Sequence, residues 1–246
     1  GTIHLDDLSV GGLKASKFAF GYTKNRDFSG NQKLGGILGM SLPGHVDYVP
    51  GFKNHGWGGF IQTLKSQGVI DEAMYQMTLK GDGGKLSIGE VDDSQYEGDL
   101  ETLTNTGKAY GHCGFKGTLN GEKHNFLLDS GTTGIAGSYD SVKKFLQGMS
   151  GVELVEEDKR GSVTGKVDCD SMPSFKISVD GKFDVKLSDD VMKKYDLGNG
   201  KCLLPIFGYT NMPRSYSYNW IVGGAFMREV SVVCKFDSNE MQIARQ

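Results

Sequence analysis

The sequence is short of several things, and each shortage excludes a class. Only 5 of its 246 residues are proline, too few for a collagen-like chain or a Pro-rich linker. No apolar run approaches the ~20 residues of a membrane-crossing helix, and mean hydropathy is −0.35. The opening, Gly1-Thr2-Ile3-His4-Leu5-Asp6-Asp7, has no apolar stretch of the kind a secretory leader needs. The expectation is a chain that stays in the cytosol or has already been processed. Charge of one sign is also lacking. Thirty acidic residues face 27 basic ones, a net −3, so there is no electrostatic case for a nucleic-acid binder or a polybasic membrane anchor. No Cys-x-x-Cys or His-Glu-x-x-His spacing supports a metal site. No Gly-x-Ser-x-Gly elbow supports a serine hydrolase. No Asn-x-Ser/Thr sequon is present. Cysteine is sparse but even in number: Cys113, Cys169, Cys202 and Cys234 allow two disulfides in three connectivities.

Glycine is what the chain has in excess. Its 37 glycines are about twice the usual share of roughly 7%. With frequent β-branched residues, that composition predicts short strands joined by many turns. Leu5 to Val10 reads as a strand closed by Gly11-Gly12. Phe18, Phe20 and Tyr22 alternate with small residues, as on a half-buried strand. Gly36-Ile37-Leu38-Gly39 is an apolar stretch bracketed by glycines, and residues 41–58 read as loop. Phe60, Ile61 and Leu64 share one face of a helix that Gly68 stops. Met74 to Leu79 and Lys85 to Ile88 form a hairpin. Asn120-Gly121 joins strands at 110–119 and 123–128, and Asp180-Gly181 joins strands at 175–179 and 182–185. Ser138 opens a helix carrying Val142, Phe145 and Leu146, and Ser188 can cap a short helix running to Tyr195. Two strands, Val230 to Phe236 and Glu240 to Ala244, end the chain. Ile221-Val222-Gly223 echoes Ile37-Leu38-Gly39, each read as an apolar-apolar-Gly strand followed by a helix or loop, which suggests two related lobes.

Chemistry concentrates at Asn125-Phe126-Leu127-Leu128-Asp129-Ser130-Gly131-Thr132-Thr133-Gly134. An apolar strand delivers an aspartate into a turn of small and hydroxyl residues. Gly131 lets the backbone pass close to a carboxylate, and Ser130 and Thr132 offer hydroxyls to hold it. Asp-Ser-Gly by itself is ordinary turn chemistry; the apolar approach sets this instance apart. The five histidines share no spacing, and the Lys143-Lys144, Lys193-Lys194 and Asp189-Asp190 pairs read as solvated helix faces.

Phe126-Leu127-Leu128-Asp129-Ser130-Gly131-Thr132-Thr133 resembles the second active-site motif of pepsin-like aspartic proteases, in wording closest to secreted yeast aspartic proteases and yapsins. The likeness continues in family order. Gly36-Ile37-Leu38-Gly39 is similar to the first-lobe apolar-apolar-Gly motif, and Phe60 to Ile70 to the helix and turn behind it. Leu86 to Asp92, with Tyr96 and Gly98, is similar to a Gly-x-x-Asp-x-x-x-Tyr-x-Gly segment. Trp220 to Arg228 is similar to the second apolar-apolar-Gly motif, with Gly224 where the family usually has Asp. Asn239 to Ala244 is similar to the terminal strand.

The resemblance implies an all-β, bilobal pepsin-like fold. Residues 1–103 would be the remainder of the first lobe with the inter-lobe strands, and residues 104–246 the complete second lobe. It implies an endopeptidase working at acidic pH in a secreted or vacuolar/lysosomal-type compartment, on peptide or protein substrates, with no cofactor and no metal. Asp129 would be one catalytic carboxylate, supported by Ser130, Gly131 and Thr132. Leu34, Ile37, Leu127 and Ile221 would line an apolar substrate pocket, with core as the alternative reading of each and the preferred one for Leu127. The resemblance pairs Cys169 with Cys202. Cys113 and Cys234 pair with each other, stay as buried thiols, or bond another chain. Only one Asp-Ser/Thr-Gly occurs, so the other catalytic Asp and the flap are expected outside these residues. They would lie on a second chain of a cleaved protease or have been removed by truncation. In an inactive relative they would have been lost, leaving a peptide- or protein-binding module.

Overall fold

A computed structural model describes residues 1–24, 35–41, 55–81, 83–107, 111–157, 161–174, 176–212 and 218–246. Strands β1 (Thr2–Val10) and β2 (Leu13–Tyr22) pair as a hairpin that forms a sheet of its own. Its register slips between Asp6 and Leu8, opposite Lys17, whose φ is 51°. The slip lies ahead of Phe18; beyond it the pairing is regular, so Phe18, Phe20 and Tyr22 project on one face as expected. Only Phe18 is buried there, at 9% exposed, while Phe20 and Tyr22 are 38% and 50% exposed.

Helix α1 (Phe60–Ser66) buries Phe60, Ile61 and Leu64. Gly68, at φ +68°, ends it, and the Val69 amide donates back to the Leu64 carbonyl at 2.9 Å. Phe60 meets Phe18 edge to face at 5.8 Å, so the helix covers the inner face of the hairpin. Residues 35–40 form no strand, and Ile37 is 77% exposed. The expected strand is corrected here, as is core placement of Ile37: no described strand lies alongside to pair with it. Leu34 lies outside the described residues.

An antiparallel sheet runs in the order β4 (Gly83–Ile88), β3 (Met74–Lys80), β15 (Val230–Lys235), β16 (Glu240–Arg245), β5 (Glu97–Thr104). It draws strands from both ends of the chain. Buried polar side chains tie its middle: Gln76 Nε2 donates to Ser231 Oγ at 3.0 Å, and Thr78 Oγ1 lies 2.7 Å from the same oxygen. Buried polar atoms need such partners.

A nine-stranded sheet runs β12 (Phe183–Lys186), β11 (Lys176–Val179), β6 (Gly114–Leu119), β7 (Glu122–Leu128), β14 (Trp220–Val222), β8 (Ile135–Ser138), β13 (Lys201–Tyr209), β10 (Ser162–Asp168), β9 (Glu153–Glu157). Asn120-Gly121 and Asp180-Gly181 each have positive φ at both positions, the geometry that matches strand twist in two-residue hairpins. Helix α2 (Tyr139–Gln147) starts at Ser138, whose hydroxyl accepts from the Ser141 amide at 3.3 Å. It buries Val142 and Leu146 against the sheet. Short helices α3 (Asp189–Met192) and α4 (Gly224–Met227) follow. Stacked Phe115, Phe126 and Phe226 centre the larger core, with ring centroids 5.0 and 5.5 Å apart. Strands β5, β8, β9, β10 and β13 were not anticipated from the sequence.

Cys169 is bonded to Cys202 and Cys113 to Cys234. The second bond joins the two large sheets, because Cys234 lies on β15 and Cys113 just ahead of β6.

Candidate active site

Strand order explains how the aspartate is placed. Phe126 is fully buried, and β7 runs parallel to β14, Leu128 opposite Val222. The chain leaves β7 at Asp129 and re-enters the sheet as β8, on the other side of β14. The turn at 129–134 therefore arches over the end of β14. Its backbone groups are matched there: the Asp129 amide donates to the Val222 carbonyl at 3.1 Å, and the Gly223 amide to Gly134 O at 2.9 Å. The Gly224 amide reaches Thr132 O at 2.8 Å, and the Ala225 amide Thr133 O at 2.9 Å. The turn's carbonyls thus satisfy amides at the start of α4, groups with no partner inside the helix. Gly223 is required by this contact, since a Cβ there would lie 1.8 Å from Thr132 O.

The carboxylate is held at both oxygens. The Gly131 amide donates to Asp129 Oδ1 at 2.9 Å, and Thr132 Oγ1 donates to Oδ2 at 2.7 Å. The Thr132 amide closes the turn on Asp129 O at 3.0 Å. Asp129 is half-buried, and Ser130 and Gly131 are exposed. This is a pre-oriented acceptor with few rotamers left, open on one side. Such fixing of a reacting group is what acid–base catalysis requires of its scaffold.

Beside the turn lies a cleft of about 660 Å³, bordered by Gly131, Thr132, Thr133, Ile221, Tyr195 and Tyr209 among others. Ile221 is half-buried and lines it. Leu127 is 9% exposed and belongs to the core. Ile37 is not part of this cleft's wall.

Four tyrosines near the site escaped the sequence reading. Tyr195 is hydrogen-bonded with the Thr133 hydroxyl, and burial raises its phenol above the ordinary range. Tyr209, raised by burial alone, lies on β13 across the cleft. Tyr75 and Tyr218 lie within electrostatic reach of Asp129; both are raised by burial first and by the aspartate's charge second. Each arrives from an element remote in sequence, and nothing local marks it.

The family model for eukaryotic aspartyl proteases matches residues 1–246. The chain belongs to that family. It is 98% identical over 246 residues to a probable inactive secreted aspartyl protease of Malassezia globosa, covering all of this chain and 63% of that protein. It is 31% identical over 246 residues to secreted aspartyl protease 1 of the same species, covering 99% of this chain and 58% of the relative. Human cathepsin D is 26% identical over 256 residues, covering 96% of this chain and 58% of its own length. The chain therefore spans about three-fifths of the relatives it matches. The crystal structure of an aspartic proteinase from Irpex lacteus superposes with a TM-score of 0.79 at 18% identity, over all of this chain and 77% of the other. That likeness establishes the all-β pepsin-like fold. No helix among the described residues is long and apolar enough to cross a membrane.

Proposed function

We propose that this chain supplies Asp129 as one carboxylate of an aspartic endopeptidase and, with the cleft at Ile221, one wall of its peptide-binding groove. The reading rests above all on the double hold on Asp129, from the Gly131 amide and the Thr132 hydroxyl. A second carboxylate from outside residues 1–246, on another chain or in a longer form of this one, would complete the pair. Two adjacent carboxylates cannot both ionise easily and share one proton. The ionised member takes a proton from a bound water, and the other polarises the scissile carbonyl. No covalent intermediate forms. The shared proton ties activity to acidic pH. Ile221 and the aromatic wall favour apolar side chains beside the cut. Ser130 would brace the two lobes beneath the pair, and Leu34 and Ile37 would line the groove from the first-lobe side. Relatives named as secreted proteases, and two disulfides in so small a chain, support an extracellular or acidic oxidising compartment.

A second reading is a silent homologue that binds peptides without cutting them. It is favoured by the printed name of the relative at 98% identity. One experiment separates the two. The full-length protein is assayed at acidic pH on hydrophobic peptides, with and without Asp129→Asn, and tested for binding of a peptide carrying a hydroxyl in place of the scissile carbonyl. Hydrolysis lost by ~10³-fold or more in the variant supports the endopeptidase. Binding without hydrolysis in the wild type supports the silent module.

A further inference from the structure

The net charge of −3 is unevenly spread, and one face of the nine-stranded sheet gathers cations. Directly opposed residues on antiparallel strands project to the same side, as do residues two apart on one strand. Lys176 stands opposite Lys186, and Ser178 opposite Asp184, where β11 meets β12. Ser178 also stands opposite Thr118 of β6. Thr118 is opposite Lys123, and Lys116 opposite Asn125, where β6 meets β7. All eight therefore share one side. The residues that alternate with them, among them Ile177, Val179, Val185 and Phe126, are buried on the other. The shared side faces solvent, with all four lysines exposed. Like charges directly opposite each other cost stability, so the Lys176 and Lys186 pair is a local expense of the fold. Asp184 takes Lys176 as its ion-pair partner. Lys116, Lys123 and Lys186 make no ion pair among the described residues. Lysine on the edge strand β12 guards against edge pairing, but β6 and β7 are inner strands, where Lys116 and Lys123 have no such use.

Lys116 and Lys123 border a cavity of about 570 Å³, together with Thr118, Asn125, Asp180 and Asn219. Ammonium groups bind an anionic substituent, while hydroxyl, amide and carboxylate groups exchange hydrogen bonds with sugar hydroxyls. From β12 to β7 the lysines span three inter-strand spacings, about 14 Å, which suits an extended polymer with repeated charges rather than one small ion. None of the large exposed apolar side chains lies on this side, so nothing there enters a bilayer or stacks a nucleic-acid base. A sulfate ester keeps its charge in acid, where a sugar carboxylate is neutralised. We propose that this side of β12, β11, β6 and β7 is a docking surface for a sulfated polysaccharide. Its sulfate esters meet Lys116, Lys123 and Lys186, and its hydroxyls meet Thr118, Asn125, Asp180 and Asn219. The surface is distinct from the Asp129 site: that carboxylate is held by Gly131 and Thr132, and none of these residues borders the cleft beside it.

The test needs no assay of turnover. The full-length protein is titrated at acidic pH with a heparin hexasaccharide and with the same hexasaccharide stripped of sulfate. Binding of the sulfated form alone, weakening as salt rises, is the expected result; no binding, or equal binding of both, overturns the proposal. Lys116→Gln/Lys123→Gln, at two exposed positions, should weaken binding about tenfold or more with Tm unchanged. Lys14→Gln/Lys80→Gln removes the same charge from strands β2 and β3 and should leave binding as it was. Equal losses in the two double variants would reduce the effect to overall charge and overturn the site. Asp180→Ala, which deletes an acceptor for sugar hydroxyls, should also weaken binding; stronger binding would show that the cavity holds only the anion and overturn the sugar contact. Vesicles rich in anionic lipid and a single-stranded oligonucleotide complete the series. Either one binding as tightly as the sulfated hexasaccharide, and losing affinity in Lys116→Gln/Lys123→Gln, overturns the polysaccharide as the partner.

Discussion

The chain contains two apolar-apolar-Gly tripeptides that differ only in Val against Leu, and the two copies have opposite fates. Ile221-Val222 is built into the nine-stranded sheet between β7 and β8, with Val222 fully buried and Gly223 wedged under the Asp129 turn. Ile37-Leu38-Gly39 forms no strand, and Ile37 is 77% exposed. Local propensity is nearly identical in the two, so the difference comes from tertiary partners. An apolar tripeptide becomes a strand where neighbouring backbones supply its hydrogen bonds and a core accepts its side chains. The Asp129 turn exists because the second copy is flanked in this way.

The largest effect should appear at the glycines. Gly223→Ala puts a methyl 1.8 Å from Thr132 O, and the atom met is backbone, which cannot swing aside. We expect failure to fold, or a loss of more than about 5 kcal/mol. Gly39→Ala meets nothing within 4 Å and should stay within about 0.5 kcal/mol of wild type. Parallel urea melts of the two variants decide the matter, and equal effects would break the comparison.

Next come the crosslinks that hold the second copy's neighbourhood. Cys113–Cys234 closes a loop of 121 residues and Cys169–Cys202 one of 33. Loop-closure entropy assigns them about 5 and about 4 kcal/mol. The longer one also fastens to β15 the segment ahead of β6, whose Cys113 carbonyl accepts from the Leu128 amide, so the Cys113→Ser/Cys234→Ser double variant should lose more stability than Cys169→Ser/Cys202→Ser. The reverse order in denaturant titrations would show that the Asp129 turn does not depend on its tether to the five-stranded sheet.

Side-chain truncation gives a smaller contrast. Val222→Ala removes two buried methyl groups from between β7 and β8 and should cost about 1.5–3 kcal/mol. Ile37→Ala, at an exposed position, should fall within about 0.5 kcal/mol. A large cost for Ile37→Ala in the full-length protein, with none in this chain, would show that partners outside residues 1–246 convert the first copy into its buried counterpart.

What was legible in the sequence follows the same logic. The hairpins at Asn120-Gly121 and Asp180-Gly181, helix α1 and the capped start of α2 are written locally, in positive-φ residues and in spacing on one face. The Asp129 turn was legible because its apolar approach strand, glycine and hydroxyls are contiguous. Strand β10 was not: Gly165 and Lys166 interrupt its apolar alternation, and its pairing with β13 is irregular between Thr164 and Lys166. Strand β5, Glu97 to Thr104, reads as a polar surface stretch and is held as a strand by β16. The tyrosines about Asp129 were invisible because pairing between distant strands brings them there. Phe18, Phe20 and Tyr22 keep their expected common face, but only Phe18 meets a covering residue, Phe60, and which end of the strand is covered is not written locally.

The smallest effect tests whether the first half also holds ordered, site-like electrostatics where partners are present. Asp92 follows β4, and its Oδ2 pairs with Lys85 Nζ. Its Oδ1 accepts from the Ser94 amide at 3.0 Å and the Ser94 hydroxyl at 2.7 Å, while its own amide donates to Gln76 Oε1 at 2.7 Å. Lys85 first, then the Ser94 hydroxyl and amide, bring its carboxyl down from 3.8 to about 2. The folded value lies below the unfolded one, so the unfolded chain binds the proton more tightly. The stabilisation is fully present above about pH 4 and is lost as pH falls through about 2. Asp92→Asn should therefore lower stability modestly at pH 6 and flatten its decline between pH 4 and pH 2, with the two proteins converging at the acid end. The Lys85 partner is half exposed and Asp92 partly so, and salt should shrink the difference. Melting curves at half-unit pH intervals, at low and high ionic strength, check the sign. A gap that widens toward pH 2 would mean that Asp92 enters the fold protonated and that the Lys85 pair contributes nothing there.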